Sequence, residues 1–239
     1  MKRIRAGIII IMAVIFCICL VPLEAFAVHT AVGVPASRSY VSSGYSDRVI
    51  IFAGDSRTMY LTADNLKKQR KNCAFVFVNG GGVASIDKDG RLASYLSKMI
   101  ERYRGNCVVV MNFGINGNGN AKNNAKRITK IYRRWMKKYP DVQFLVESVN
   151  PTGFDSNTGY GKRKILKVNR LLKKEFSDIY IDACTYLLDK GIVDWTGKGT
   201  KDNIHYKQKT NKAIFKCVKK YIKEFDFSKK ENAAGTAAG

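Results

Sequence analysis

Five short apolar segments that alternate with helical patterns constrain the fold of this chain more than any other feature. The segments, all rich in Val, Ile or Phe, are residues 49–53, 74–79, 108–113, 142–149 and 179–182. Near-continuous apolar runs of this length are typical of parallel strands that are covered on both faces. The helical patterns between and after them are residues 91–104, 121–138, 162–175 and 207–224. The alternation predicts an α/β fold, a three-layer α/β/α sandwich around a five-stranded parallel sheet.

The predicted sandwich occupies residues 48–226. Residues 28–47 are small and polar, with Gly, Ser and Pro and no periodicity, and are interpreted as a linker. Residues 227–239 have a similar composition and are interpreted as a flexible tail.

The first 27 residues have the pattern of a signal peptide. A basic start precedes an uncharged apolar run, and the segment ends in Ala25-Phe26-Ala27, a small-x-small sequence after which we expect cleavage. An uncleaved membrane anchor is the alternative, because residues 6–21 approach the minimum length of a transmembrane helix. Pro22 and Glu24 favour the signal peptide. We therefore expect a secreted protein, either extracellular or associated with the cell wall.

The chain is strongly basic, with 42 Lys and Arg against 19 Asp and Glu and a net charge of +23. Removal of the signal peptide takes away three basic residues and one acidic residue, so most of this charge remains. A field of this sign attracts polyanions. Outside a cell these are more often wall polymers, acidic polysaccharides or lipid surfaces than nucleic acid, and the chain has no zinc-finger, P-loop or RNP pattern. We expect polyanionic wall polymers as partners, no nucleic acid, and no stable membrane insertion after signal removal.

Four cysteines remain after the signal peptide: Cys73, Cys107, Cys184 and Cys217. In an oxidising compartment they allow three complete disulfide pairings, among which the sequence does not decide. Buried free thiols are the alternative. Their spacing contains no C-x-x-C, so we expect no metal cluster.

The loops that follow the first four strands are rich in Gly, Ser and Asn. They contain GDS, NGGGVAS, GINGNGN and NPTGFDSNTG, in chain order. In a parallel sheet these loops meet at the carboxyl edge, where ligands bind. The sequence thus predicts one polar rim made from four loops.

Ser56, in the first of these loops, is a candidate nucleophile. A serine at a strand-to-helix turn projects its hydroxyl, and the start of the helix supplies NH groups and a positive dipole. The alternative is that Asp55 or Ser56 only caps the helix that follows.

His205 is the candidate base. The chain has two histidines, and His29 lies in the predicted linker, so His205 is the one inside the domain. Asp202, three residues earlier, can fold back onto the imidazole and fix its tautomer. The alternative is an ordinary surface histidine near the last helix.

An oxyanion at this rim would need fixed hydrogen-bond donors. The Ser56 backbone NH is one candidate, and the Asn116 side chain in the third loop is another. A glycine of Gly80-Gly81-Gly82 can supply a backbone NH, since glycine allows close approach to a substrate.

These blocks together resemble the SGNH (GDSL-like) hydrolases. Gly54-Asp55-Ser56 follows the first strand, a glycine the second, Gly114-x-Asn116 the third, and Asp202-x-x-His205 lies near the end. The resemblance covers residues 48–224. It implies a flavodoxin-like SGNH hydrolase fold and hydrolysis of esters or removal of acyl groups by a Ser-His-Asp arrangement, with no cofactor and no metal.

The resemblance also assigns roles. Ser56 would be the nucleophile, His205 the base and Asp202 its orienting partner, while Asn116 and Gly82 would join the Ser56 NH in the oxyanion hole. Gly82 is chosen over Gly80 and Gly81, which remain alternatives. In one departure, Gly117 replaces the acid that usually ends the third block, and we expect altered support of this loop without loss of the Asn116 donor.

The leading functional hypothesis is a secreted serine esterase that removes acyl groups, preferably acetyl, from a cell-surface or environmental glycan. An alternative keeps the fold but treats the protein as a basic wall-polymer-binding module with a vestigial triad. A third possibility is acyl transfer to a glycan hydroxyl by the same residues.

Overall fold

The computed structural model describes residues 48–117, 120–155 and 159–227. The predicted signal peptide, residues 1–27, and the predicted linker, residues 28–47, lie outside the described residues. So does the predicted tail, apart from its first residue.

The centre of the fold is a sheet of five parallel strands. They are Val49–Gly54 (β1), Cys73–Phe77 (β2), Cys107–Asn112 (β3), Gln143–Glu147 (β4) and Tyr180–Ile181 (β5). The order across the sheet is β2-β1-β3-β4-β5, and every neighbouring pair is parallel. This is the flavodoxin-like order, and it confirms the predicted fold class.

Within the described ranges, six α-helices pack on the two faces of this sheet. They are Ser56–Tyr60 (α1), Ala93–Arg102 (α2), Ala121–Lys138 (α3), Lys162–Glu175 (α4), Ala183–Asp189 (α5) and Gln208–Glu224 (α6). Three short 3-10 turns, Asp64–Leu66, Val83–Ile86 and Ser177–Ile179, complete the described secondary structure.

The two faces of the sheet carry separate cores. Along β1, Ile51 points into a core that it shares with α2, α3 and α4, and Phe52 points into a core shared with α5 and α6. Both side chains are fully buried. Each strand is thus covered on both faces, which explains why the strand sequences are continuously apolar instead of alternating.

The structure corrects several element boundaries. β2 ends at Phe77, before the predicted end at residue 79, and β4 ends at Glu147, before residue 149. In the latter case the Val149 NH donates to the Asn169 side chain, so the backbone has left the ladder. Helix α5 was not predicted, and it begins where the Asp182 carboxylate accepts from the Thr185 NH.

The folded unit also extends past its predicted end at residue 226. Phe227 is buried in the α5/α6 core, its ring lies against Phe225, and the Arg48 guanidinium lies 4.7 Å from its centroid. This aromatic contact places the residue in the domain and corrects its assignment to the tail.

All four cysteines within the described ranges are free thiols. Cys73, Cys107 and Cys184 are buried, and burial raises the pKa of each thiol, to about 11 for Cys73 and about 12 for the other two. The structure thus agrees with the alternative of free thiols and not with disulfide pairing. In the same ranges, no helix is both long enough and apolar enough to cross a membrane.

Candidate active site

The rim lies where the order of the strands reverses. β1 sits between β2 and β3, so the chain leaves β1 for one side of the sheet and later returns to its other side. The crevice at such a switch point is where open α/β sheets bind their ligands. The turn after β1 and the loop after β3 border it, and they carry Ser56 and Asn116.

The turn after β1 is too tight for a side chain at Gly54. A Cβ atom there would lie 2.0 Å from Thr58 Oγ1 and 2.8 Å from the Asn112 carbonyl oxygen. Asp55 caps α1, and its Oδ1 accepts from the Arg57 NH at 2.9 Å. The capping alternative therefore holds for Asp55, which leaves the neighbouring Ser56 hydroxyl available for other contacts.

Ser56, His205 and Asp202 form one hydrogen-bonded chain. His205 Nε2 lies 2.9 Å from Ser56 Oγ, and His205 Nδ1 lies 2.7 Å from Asp202 Oδ2. An ionised carboxylate only accepts hydrogen bonds, so it favours the tautomer with the proton on Nδ1 and leaves Nε2 as an acceptor for the serine proton. The structure brings together the three residues predicted to act together.

Asp202 is ionised, and its hydrogen bonds with His205 help to keep it so. Desolvation opposes this, but hydrogen bonds from the His205 ring, the His205 NH and the Ile204 NH together lower the pKa of Asp202 to about 2. The two backbone bonds, 2.7 Å from His205 and 3.2 Å from Ile204, also fix the turn between acid and base. The carboxylate is therefore charged at neutral pH and accepts the hydrogen bond from the imidazole ring.

Asn116 and the glycine loop after β2 are in direct contact. Asn116 Nδ2 donates to the Gly81 carbonyl at 3.2 Å, and a Cβ atom on Gly82 would lie 2.4 Å from the Asn116 carbonyl. Only glycine allows this approach at position 82. An amide NH2 has a second hydrogen, which suits Asn116 for the predicted role of oxyanion donor. That role, and the choice of Gly82 over Gly80 and Gly81, remain predictions.

Gly117 is explained by its neighbours. A Cβ atom at this position would lie 2.1 Å from the Asn124 side chain, which occupies the space where the family pattern has an acid. Asn124 Nδ2 donates to the Gly114 carbonyl at 2.9 Å, and Lys164 Nζ donates to the Gly117 carbonyl at 2.8 Å. Side chains from α3 and α4 thus support this loop.

Arg57 is a buried element of the site that the sequence did not indicate. Its side chain donates from Nε to the Ile204 carbonyl at 3.2 Å and from Nη1 to the Asn150 carbonyl at 2.9 Å. The guanidinium also lies 4.8 Å from the centroid of the Tyr206 ring. It links the turn of the nucleophile to the residues on both sides of His205 and to the loop after β4.

Two buried carboxyl groups lie beneath the rim near Arg57. Burial raises the pKa of Asp55 to about 6 and that of Glu147 to about 7, although the Arg57 charge lowers both. Glu147 ends β4, and its Oε1 accepts from Asn150 Nδ2 at 2.7 Å. In the described part of the chain, no cluster of three or more His, Cys, Asp or Glu side chains could hold a metal ion.

Solved structures with a similar fold include GDSL-like lipases and an acetylxylan esterase. A GDSL-like lipase from Bacteroides thetaiotaomicron matches with a TM-score of 0.55 at 16% identity over 75% of this chain and 89% of its own. A member of the lipolytic G-D-S-L family from Veillonella parvula matches with a TM-score of 0.53 at 12% identity, over 72% of this chain and 96% of its own. An acetylxylan esterase from Geobacillus stearothermophilus matches with a TM-score of 0.51 at 12% identity, over 73% and 94%.

The chain therefore has the fold of the GDSL-like (SGNH) hydrolases. At these identities the similarity is one of fold, while the arrangement of Ser56, His205 and Asp202 comes from the structure of this chain itself. No protein-family model and no curated protein matches the sequence.

Proposed function

We propose that this protein is a serine ester hydrolase of the SGNH type. The observation that carries the proposal is the hydrogen-bonded chain from Ser56 Oγ through His205 to Asp202, at 2.9 and 2.7 Å. It lies at the switch point of the sheet, beside a loop that offers an amide donor. A vestigial triad would have no need for this alignment, so the geometry favours an enzyme over a binding module.

The reaction proceeds through an acyl-enzyme. His205 Nε2 accepts the Ser56 proton as Oγ attacks the ester carbonyl, and Asp202 stabilises the imidazolium that forms. Asn116 Nδ2, with the Gly82 and Ser56 NH groups, stabilises the negative oxygen. The imidazolium then protonates the leaving alcohol. Water, deprotonated by His205, attacks the acyl group, and the acid is released as Ser56 regains its proton.

The proposed substrate is an acylated glycan, with acetyl as the preferred acyl group. Two features support this choice: the similar fold of an acetylxylan esterase, and the basic composition of a chain whose first 27 residues have a signal-peptide pattern. A secreted or wall-associated basic enzyme would meet acetylated polyanionic polymers. Export and the glycan substrate are both part of the proposal.

The test uses the protein purified from the cells or the medium of its host. We expect hydrolysis of an aryl acetate, faster than of longer acyl esters, and release of acetate from one member of a panel of acetylated glycans. A fluorophosphonate should label the protein once, at Ser56, by intact mass and peptide mapping. A folded protein that neither hydrolyses these esters nor reacts with the probe would contradict the proposal and favour the binding module.

A further inference from the structure

The outer surfaces of α3 and α4 carry the densest positive charge that the structure describes. Helix α3 contains eight Lys and Arg and no acid, and α4 contains seven Lys and Arg with one acid, Glu175. The two helices are neighbours on the same face of the sheet. Arg133 of α3 forms an ion pair with Glu175, which is the last residue of α4.

These charges form two stripes. The α3 stripe consists of Lys122, Lys126, Lys130, Arg133 and Lys137. The α4 stripe consists of Arg163, Lys167, Arg170 and Lys174. All nine residues are exposed. The spacings of three and four residues place each stripe on one side of its helix, because an α-helix has about 3.6 residues per turn. The buried residues of both helices fall on the opposite side.

Most of the α3 stripe has no acidic partner. Among the residues described, Lys122, Lys126, Lys130 and Lys137 have no carboxylate within ion-pair distance; the other member, Arg133, has Glu175. Unpaired exposed cations repel one another and stabilise a fold little. Their joint field, however, attracts a chain of negative charges. The arrangement is thus better suited to binding than to stability.

Both stripes begin at the rim. Helix α3 starts just after the loop of Asn116, and α4 starts beside it, where Lys164 donates to the Gly117 carbonyl. From Lys122 to Lys137 the α3 stripe runs about 22 Å along the helix, at about 1.5 Å per residue. An extended polymer on these stripes would have one end close to Ser56.

We infer that the α3 and α4 stripes bind a polymer with repeated anionic groups, phosphate or carboxylate, and that this polymer is the glycan that carries the ester. The inference rests on the proposed function for the identity of the polymer. Neither stripe contains an aromatic side chain on which a nucleic-acid base could stack. Apart from Leu166, which is 43% exposed on α4, the apolar side chains of both helices are buried or partly buried. One exposed leucine is a small apolar surface compared with the apolar face of a helix that binds lipid.

Helix α6 offers a matched control on the other face of the sheet. Lys212, Lys216 and Lys223 are exposed there, with the spacing of Lys126, Lys130 and Lys137 on α3. Replacing either set by Glu changes the net charge of the chain by the same amount. Comparison of the two triple variants therefore shows whether binding depends on where the charges lie or only on how many there are.

The experiment measures binding without catalysis. Full chains that carry Ser56→Ala are titrated with a polyuronate, a phosphodiester-linked polyol polymer, neutral dextran, a single-stranded oligonucleotide and anionic vesicles, at low and at physiological salt. We expect the α3 triple variant to lose at least about tenfold in affinity for an anionic polymer, with a weaker salt dependence, and the α6 variant to lose less than about threefold. Dextran should not bind. Thermal unfolding verifies the fold of both variants.

Three outcomes would overturn the inference. Equal losses in the α3 and α6 variants would mean that net charge alone decides binding. Tighter, stripe-dependent binding of the oligonucleotide or of the vesicles would identify a different class of partner. If the Ser56→Ala protein bound no anionic polymer, the stripes would not be a binding surface for such a polymer. None of these outcomes depends on hydrolysis, whereas failure of aryl acetate hydrolysis would contradict the proposed function and leave the binding result standing.

Discussion

The rim and the two stripes are both polar, but they are built in opposite ways. At the rim, Ser56 and Arg57 are almost completely buried, and the side chain of each forms hydrogen bonds with particular partner atoms. On the stripes, the side chains are exposed, and among the described residues four of the five members of the α3 stripe have no carboxylate within ion-pair distance. A polar group removed from water must be matched atom by atom, whereas a charge in water acts through its distance-dependent field.

This difference predicts how each region responds to change. Loss of one atom at the rim leaves a buried partner unsatisfied or a reacting group misplaced, so the effects should be large and insensitive to salt. Loss of one charge on a stripe removes a small part of the summed electrostatic field of the stripe. Salt screens that field over about 8 Å at 0.15 M. Rim substitutions should therefore act singly, and stripe substitutions should act only in groups.

The largest expected effect is on the triad. Ser56→Ala and His205→Ala should each reduce kcat for an aryl acetate by at least about 10⁴-fold, and the double variant should be hardly worse, because members of one catalytic unit are not additive. Asp202→Asn should reduce kcat less. Steady-state kinetics at saturating ester measure this. An active Ser56→Ala protein would contradict the proposed mechanism, and multiplying effects in the double variant would show that the two residues act independently.

The next effect is on Asn116. Asn116→Ala should lower kcat by about 100-fold or more without changing the fold, which is the usual consequence of losing one oxyanion donor. Asn123→Ala is the matched control, because Asn123 is an exposed residue at the start of α3. If the two variants had equal activities, Asn116 would not be an oxyanion donor, and its role would be limited to the hydrogen bond with the Gly81 carbonyl.

The residues that we propose to act in catalysis were predictable from sequence, because each leaves a local signal. Ser56 lies in a short motif after an apolar strand, and His205 is the only histidine in the predicted domain with an acid three residues before it. The strand order was implied by the family resemblance, and the structure confirms the fold. The precise strand ends were not predictable, since they depend on contacts such as that of the Val149 NH with Asn169.

The supporting residues were not predictable, because their partners lie far away in the chain. Arg57 binds carbonyl groups 93 and 147 residues away, and nothing local distinguishes it from an exposed arginine at the start of a helix. Lys164 likewise binds a carbonyl 47 residues away. Asn124 binds the Gly114 carbonyl, which is only 10 residues away, but this contact depends on how the loop after β3 folds back onto α3. Glu147 did leave a signal, as an acid directly after an apolar run, but its burial depends on tertiary contacts such as that with the Asn150 side chain in the loop after β4.

Substitutions of Arg57 test whether the rim depends on the shape of the guanidinium group or only on its positive charge. Arg57→Lys keeps the charge but loses the planar fork that reaches two carbonyl groups, so kcat should fall by about tenfold with little change in KM. Arg57→Met should lower kcat further. Arg91→Lys, at an exposed position, is the control. A change in KM alone, or full activity of Arg57→Lys, would show that Arg57 does not position His205.

The pH dependence of the free energy of unfolding tests whether the buried Glu147 carboxyl has a raised pKa. A raised pKa in the folded protein means that the folded state holds the proton more tightly than the unfolded state does, so the stabilisation is complete in acid and is lost as the pH rises through about 7. Glu147→Gln keeps the shape without the ionisation. Its free energy of unfolding, relative to the wild type, should therefore rise between pH 5 and 8, by about 1 kcal/mol or more. Chemical denaturation at each pH measures it.

The control for Glu147 is Glu224→Gln, at an exposed position on α6, which should show no such trend. Asp55, also buried with a raised pKa, should leave part of the pH dependence in the Glu147→Gln variant. If the stability difference fell as the pH rose, the sign of the Glu147 shift would be wrong.

The smallest expected effect is that of one lysine in a stripe. Lys130→Gln should weaken binding of a polyuronate by less than about threefold at physiological salt, because an exposed charge pair contributes about 1 kcal/mol or less and its neighbours on the stripe remain. The difference from wild type should shrink further as salt increases. Equilibrium titration at two salt concentrations measures both quantities. A loss of tenfold or more that persists at high salt would mean that Lys130 contacts the polymer in a desolvated pocket, and the stripe would then resemble the rim in requiring individual atoms.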